Sequence, residues 1–153
     1  MTNDIDAFLA ATHETFATYK KLSDATGPDA AWQTMLEGYP ERQKQRMTPF
    51  LSRPTLLEGF TISIPFFERI GMKMSVVDIS NHGVDAVLEI QRYCPYLQLC
   101  QEHGQATPCH VMCEMDVEAT RRAFPEMKGT ILSRQATGDC VCLFRYERPA
   151  QRA

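Results

Sequence analysis

Residues 72–92 read MKMSVVDISNHGVDAVLEIQR, and this stretch decides the fold. Two runs rich in β-branched residues, Met72 to Ser80 and Val84 to Arg92, flank Asn81-His82-Gly83. That tripeptide is a short turn containing a residue that tolerates positive φ, so the runs pair as a β-hairpin. In the second run Val84, Ala86, Leu88 and Ile90 alternate with Asp85, Val87, Glu89 and Gln91. Period-2 alternation places the first set on one face, which is read as the apolar one.

On the C-terminal side, short helices are expected around Pro95 to His103 and from Asp116 to Phe124, the latter stopped by Pro125. A final hairpin is expected to run from Gly129 to Arg134, turn through Ala136-Thr137-Gly138-Asp139 and return as Cys140 to Glu147. On the N-terminal side the period is helical. Asn3 or Asp4 offers a capping oxygen, and Ile5, Phe8, Leu9, Thr12, Phe16 and Tyr19 recur on one face before Gly27-Pro28. A second helix follows Asp29, with Trp32, Met35, Leu36 and Tyr39 as its stripe before Pro40. The polar run Glu41 to Arg46 reads as a solvated helical face or a connector, and Arg53-Pro54 and Gly59 as punctuation before Phe66, Phe67 and Ile70. Those aromatic residues read as helical core in preference to a cofactor pocket. The expected fold class is α+β: N-terminal helices over 1–70 packed on a mainly antiparallel sheet over 72–147, made of two hairpins with short intervening helices. The 153 residues are expected to form a single domain.

The apolar fraction of 44% and charged fraction of 23% are ordinary for a globular protein, and the net charge of -3 gives no reason to expect nucleic acid. No apolar run spans a bilayer, and the N-terminus opens with acids where a secretory signal opens with a basic region. A cytoplasmic location with reduced thiols is therefore expected. The apolar stripes of the N-terminal helices serve a homodimer as readily as intramolecular packing.

All six cysteines fall between Cys94 and Cys142. Cys109 and Cys113 lie four apart, on one face if helical, and Cys140 and Cys142 would share a strand face. Thiolates converging from different segments are what zinc or an iron–sulfur cluster requires, although no Cys-x-x-Cys is present. His103 and His110 are further zinc-ligand candidates. Cys94 or Cys113 at a helix start is a candidate nucleophile.

Arg92-Tyr93-Cys94-Pro95-Tyr96, then Cys113 with Asp116, then Gly138-Asp139 leading to Cys142-Leu143-Phe144-Arg145-Tyr146 carry a resemblance. Over about residues 72 to 147 the chain resembles the L-2-amino-thiazoline-4-carboxylic acid hydrolase family, a relative of 4-vinyl-reductase-type domains. The resemblance implies an α+β fold with a small-molecule pocket, and makes Cys94, Cys113 and Cys142 the shared thiols with Asp116 as polar partner. Three functions follow as expectations. The first is a metal or iron–sulfur site held by Cys94, Cys109, Cys113 and Cys142 that acts on or senses a small molecule. The second is a metal-free hydrolase of a small sulfur- or nitrogen-containing ring, with Cys94 or Cys113 as nucleophile and Asp116 or His110 assisting proton transfer. The third is a ligand-binding domain of the tetrapyrrole type, or a scaffold, with structural cysteines.

Overall fold

The computed structural model describes residues 4–152, in which four helices precede a four-stranded sheet. The cap proposed at Asn3 lies outside the described residues; Asp4 opens α1 (Asp4–Thr26). Gly27 ends that helix at φ 89°, and Pro28 starts α2 (Pro28–Leu36), where its missing N–H costs nothing. Pro40 does not end a helix as read above. It sits in the first turn of α3 (Tyr39–Leu51), so the polar run 41–46 is an interior helical stretch whose Gln43 is fully buried. Thr55 caps α4 (Leu56–Arg69) by accepting from Glu58 N at 3.1 Å. Gly59 is likewise not punctuation: a Cβ there would meet Phe50 O at 2.1 Å, so glycine permits the close approach of α4 to α3.

Strands β1 (Lys73–Asp78) and β2 (Val84–Tyr93) form the expected hairpin. His82 and Gly83 occupy its tip with φ of 45° and 78°, the positive values that match a two-residue turn to sheet twist. Next come α5 (Tyr96–Glu102), a π-helical turn (His110–Glu114), α6 (Met115–Ala123), β3 (Lys128–Ser133) and β4 (Cys142–Pro149). The sheet is antiparallel in the order β1-β2-β4-β3. The fold is α+β, as the sequence indicated.

The face of β2 is opposite to the one expected. Helices α4 and α6 pack on the sheet side that carries Asp85, Val87 and Glu89, all buried, while Val84 on the other side is 41% exposed. Alternation identified two faces correctly but assigned the wrong one to the interior. The outer face is apolar because Val77 pairs with Leu88 and Ile90 with Leu143 across neighbouring strands. Of the two buried carboxylates on the inner face, Asp85 has a structural use. Asp85 accepts Leu56 N at 3.0 Å and Arg148 Nε at 2.8 Å; Arg148 also donates to Leu51 O and Arg53 O. This buried pair ties β2 and β4 to the α3–α4 junction. Beside it, Leu56, Phe60, Val87, Phe144 and Tyr146 form an apolar core.

Candidate functional site

Between the inner sheet face and the helices lies a cavity of about 840 Å³, within the range usual for small-molecule sites. Its floor includes Glu89 and Gln91 of β2 and Phe144 and Tyr146 of β4. Its walls include Phe8 of α1, Tyr39, Gln43 and Arg46 of α3, Phe66 and Phe67 of α4, and Cys113, Asp116 and Thr120. The aromatic residues of α4 that read as plain core thus line the cavity.

Asp116, in the first turn of α6, is a hydrogen-bond hub. Its Oδ1 accepts from Tyr39 OH at 2.9 Å, Gln43 Nε2 at 3.2 Å and Arg46 Nη2 at 2.6 Å. Gln43 also donates to Thr120 Oγ1 at 2.8 Å and accepts from Arg46. Burial, with Asp116 opposite, pushes the Tyr39 phenol well above its ordinary range. Burial alone pulls Arg46 down, but Asp116 more than offsets it and leaves the guanidinium firmly charged.

Glu89 contrasts with this satisfied network. It is 7% exposed, and its one hydrogen bond among the described residues is accepted from Gln91 Nε2 at 2.6 Å. Burial pushes its carboxyl up to about 7; the Gln91 contact opposes that rise and Asp116 adds to it.

Of the cysteines proposed as ligands, only Cys113 lines the cavity. The π-helical turn at 110–114 presents it there, and such turns recur at functional sites. Cys94, Cys109 and Cys142 are its electrostatic neighbours, so the sheet end and the turn do bring these four thiols into one region. Among the described residues, however, no group of three or more His, Cys, Asp or Glu side chains is drawn close enough to hold a metal ion. Cys142 Sγ accepts from Gln135 N at 3.3 Å, and Cys109 is held by Arg134. Burial pushes the Cys94 thiol up to about 11 and Cys113 further still, which keeps both as neutral thiols near pH 7. Cys100 is packing, fully buried with Sγ donating to Leu97 O. Cys140 is exposed and precedes β4, so it shares no strand face with Cys142. His110 Nδ1 pairs with Glu114 at 2.8 Å and the ring stacks on Trp32. His103 pairs with His13 at 3.0 Å.

The sequence profile of the L-2-amino-thiazoline-4-carboxylic acid hydrolase family matches residues 6–146. The chain belongs to that family. Membership extends beyond the 72–147 region where the resemblance was read, into the helices that supply Tyr39, Gln43 and Arg46 to the cavity. No curated protein sequence matches the chain. Among solved structures it is similar to the phenol-responsive sensory domain of the transcription activator PoxR, determined with phenol. The TM-score is 0.60 at 12% identity, over 90% of this chain and 74% of that one, a likeness of fold. No helix among the described residues is long and apolar enough to cross a membrane.

Tyr39, Gln43, Arg46 and Glu89 are site residues that the sequence reading missed. A signal existed for Glu89: an acid at the centre of a β-branched strand requires either a partner or a purpose. Gln43 and Arg46 carried none, because a polar helical run is ordinarily solvated.

Proposed function

We propose that the family fold serves here as a small-molecule receptor, with the cavity between sheet and helices taking a compact ring compound. The observation that carries this reading is the coexistence, in one cavity, of an aromatic wall with a buried carboxyl that lacks a cation. Phe66, Phe67 and Phe144 offer apolar area to a ring; Glu89, Asp116 and Arg46 offer orientation. The phenol held by the similar sensory domain and the thiazoline in the family's name are both compact rings, which supports this size class.

Hydrolysis of such a ring is the second reading, favoured by family membership. The neutral state of Cys94 and Cys113 argues against thiolate attack, and Asp116 is committed to three donors. An iron–sulfur cluster or zinc on Cys94, Cys109, Cys113 and Cys142 does not fit the donor set, since these side chains are not gathered as ligands.

The test is thermal denaturation with phenol and, separately, L-2-amino-thiazoline-4-carboxylic acid. A ligand at a hundred times its Kd stabilises by about 2.7 kcal/mol, a shift of several degrees in Tm. Chromatography of the incubated thiazoline separates binding from turnover: intact compound supports a receptor, and a ring-opened product supports the hydrolase. Absence of any shift with both compounds would count against the cavity as a site for rings of this size.

A further inference from the structure

Glu89 is the one carboxyl on the cavity floor, and nothing in the fold requires it there. Unlike Asp85, it caps no helix and pairs with no arginine. Its Oε1 accepts from Gln91, while Oε2 makes no hydrogen bond among the described residues. The charges facing it are unfavourable to a carboxylate. Asp116 approaches from α6, and its negative charge raises the proton affinity of Glu89. Tyr146 stands beside it on β4, and Tyr39 and Cys113 share the cavity wall as neutral donors. Tyr96 of α5 is a further buried phenol. Arg46 of α3, half-exposed, is already engaged by Asp116 at 2.6 Å. Arg69 and Arg42 lie at the exposed mouth, Arg69 3.9 Å from Asp4 and Arg42 over the Tyr39 ring. Among the lining residues β1 brings no titratable group, and α4 brings only Arg69.

A buried acid without a cation is stabilised when the ligand itself becomes the cation. We propose that Glu89 is a specificity-determining residue that selects weakly basic nitrogen heterocycles by exchanging one proton with them. The inference rests on the cavity being a small-molecule site, as argued above. Below about pH 7 Glu89 of the empty cavity holds its proton. When a neutral ring nitrogen docks, the Oε2–H bond breaks and an N–H bond forms, giving a carboxylate–cation pair with no net change in protons. An exocyclic amino group beside that nitrogen supplies a second N–H to the other oxygen, the two-point geometry a carboxylate accepts best. A neutral phenol cannot take the proton, and the neutral hydrogen bond it shares with the carboxyl is equally available from an amide at this position.

Two probes, 2-aminopyridine and phenol, test this by calorimetry on the full chain and on Glu89→Gln. The bound state holds one proton between carboxyl and ring. Above pH 7 the free protein has lost that proton, so wild-type affinity for 2-aminopyridine falls about tenfold per pH unit between pH 8 and 9. The amide of the Glu89→Gln variant has no proton to lose, so its weaker binding stays flat over that interval. At pH 7 the variant binds 2-aminopyridine about tenfold or more weakly and phenol within about twofold of wild type, a loss in the range of one charge-assisted contact. A residue that only supports the fold would weaken both probes together and leave the alkaline slope in place, which overturns the proposal. Phenol binding without 2-aminopyridine binding also overturns it, yet leaves the receptor reading standing. Failure of both probes overturns both.

Discussion

Replacing Glu89 with Gln should make the protein more stable at alkaline pH. The carboxyl has an ordinary value of 4.5 in the unfolded chain and about 7 in the folded one. An acid raised on folding binds more protons in the native state, so stability falls as pH rises between the two values. The full contribution is present below pH 4.5 and lost above about pH 7. Each pH unit of that interval weighs about 1.4 kcal/mol, so the ionised carboxyl costs the empty protein about 3 kcal/mol at pH 8. Gln is nearly the same size, keeps an acceptor for Gln91 and has no charge to desolvate. Denaturant unfolding of both proteins from pH 4.5 to 8.5 isolates the effect, because every other titration cancels in the difference. The difference is expected to be small near pH 4.5 and to grow by about 3 kcal/mol by pH 8. For a chain of this length that is about 6–12 °C in Tm. Parallel curves, or a variant less stable at pH 8 than wild type, would refute the burial of an unpaired carboxyl.

Other substitutions probe the frame around the cavity. Arg148→Met leaves Asp85 charged and buried without its partner, and should cost about 3–5 kcal/mol in denaturant unfolding. Tyr39→Phe removes one of the three donors to Asp116 and should cost about 1 kcal/mol. It should also weaken any ligand that touches Asp116. Timed alkylation with iodoacetamide at pH 7.5, read by mass spectrometry, should label exposed Cys140 first and the buried Cys100, Cys109 and Cys142 last. Rapid labelling of Cys94 or Cys113 would restore the thiolate nucleophile. Treatment with a metal chelator should leave ligand affinity unchanged; a loss reversed by adding zinc would revive the thiol-ligand reading.

Much of this fold was legible from local patterns. The turn at 81–83 fixes one hairpin, and the stripes of Phe16 and Leu36 mark helices that do bury them. Periodicity alone could not say which face of β2 is inside. The wholly apolar set Val84, Ala86, Leu88 and Ile90 is the outer one, and the choice depends on where Arg148 and Leu56 stand to receive Asp85, a long-range fact. The same applies to the site. Clustered cysteines drew attention to 94–142, yet the cavity is assembled equally from α3, whose Gln43 and Arg46 look like solvent-facing residues until Asp116 arrives from α6. Cys113 and Asp116, the sequence candidates for nucleophile and polar partner, both line the cavity.

The central claim is that the cavity takes a small ring compound. Its most direct test is a ¹⁵N–¹H correlation spectrum of the protein titrated with phenol and with L-2-amino-thiazoline-4-carboxylic acid. The account predicts saturable shifts at the amides of Glu89, Gln91, Cys113, Asp116, Phe144 and Tyr146, which face the cavity from three directions. Amides whose side chains lie on the outer sheet face, such as Val77 and Leu132, should stay fixed or move less. Shifts that never saturate with either compound, or that gather on the outer face alone, would contradict it.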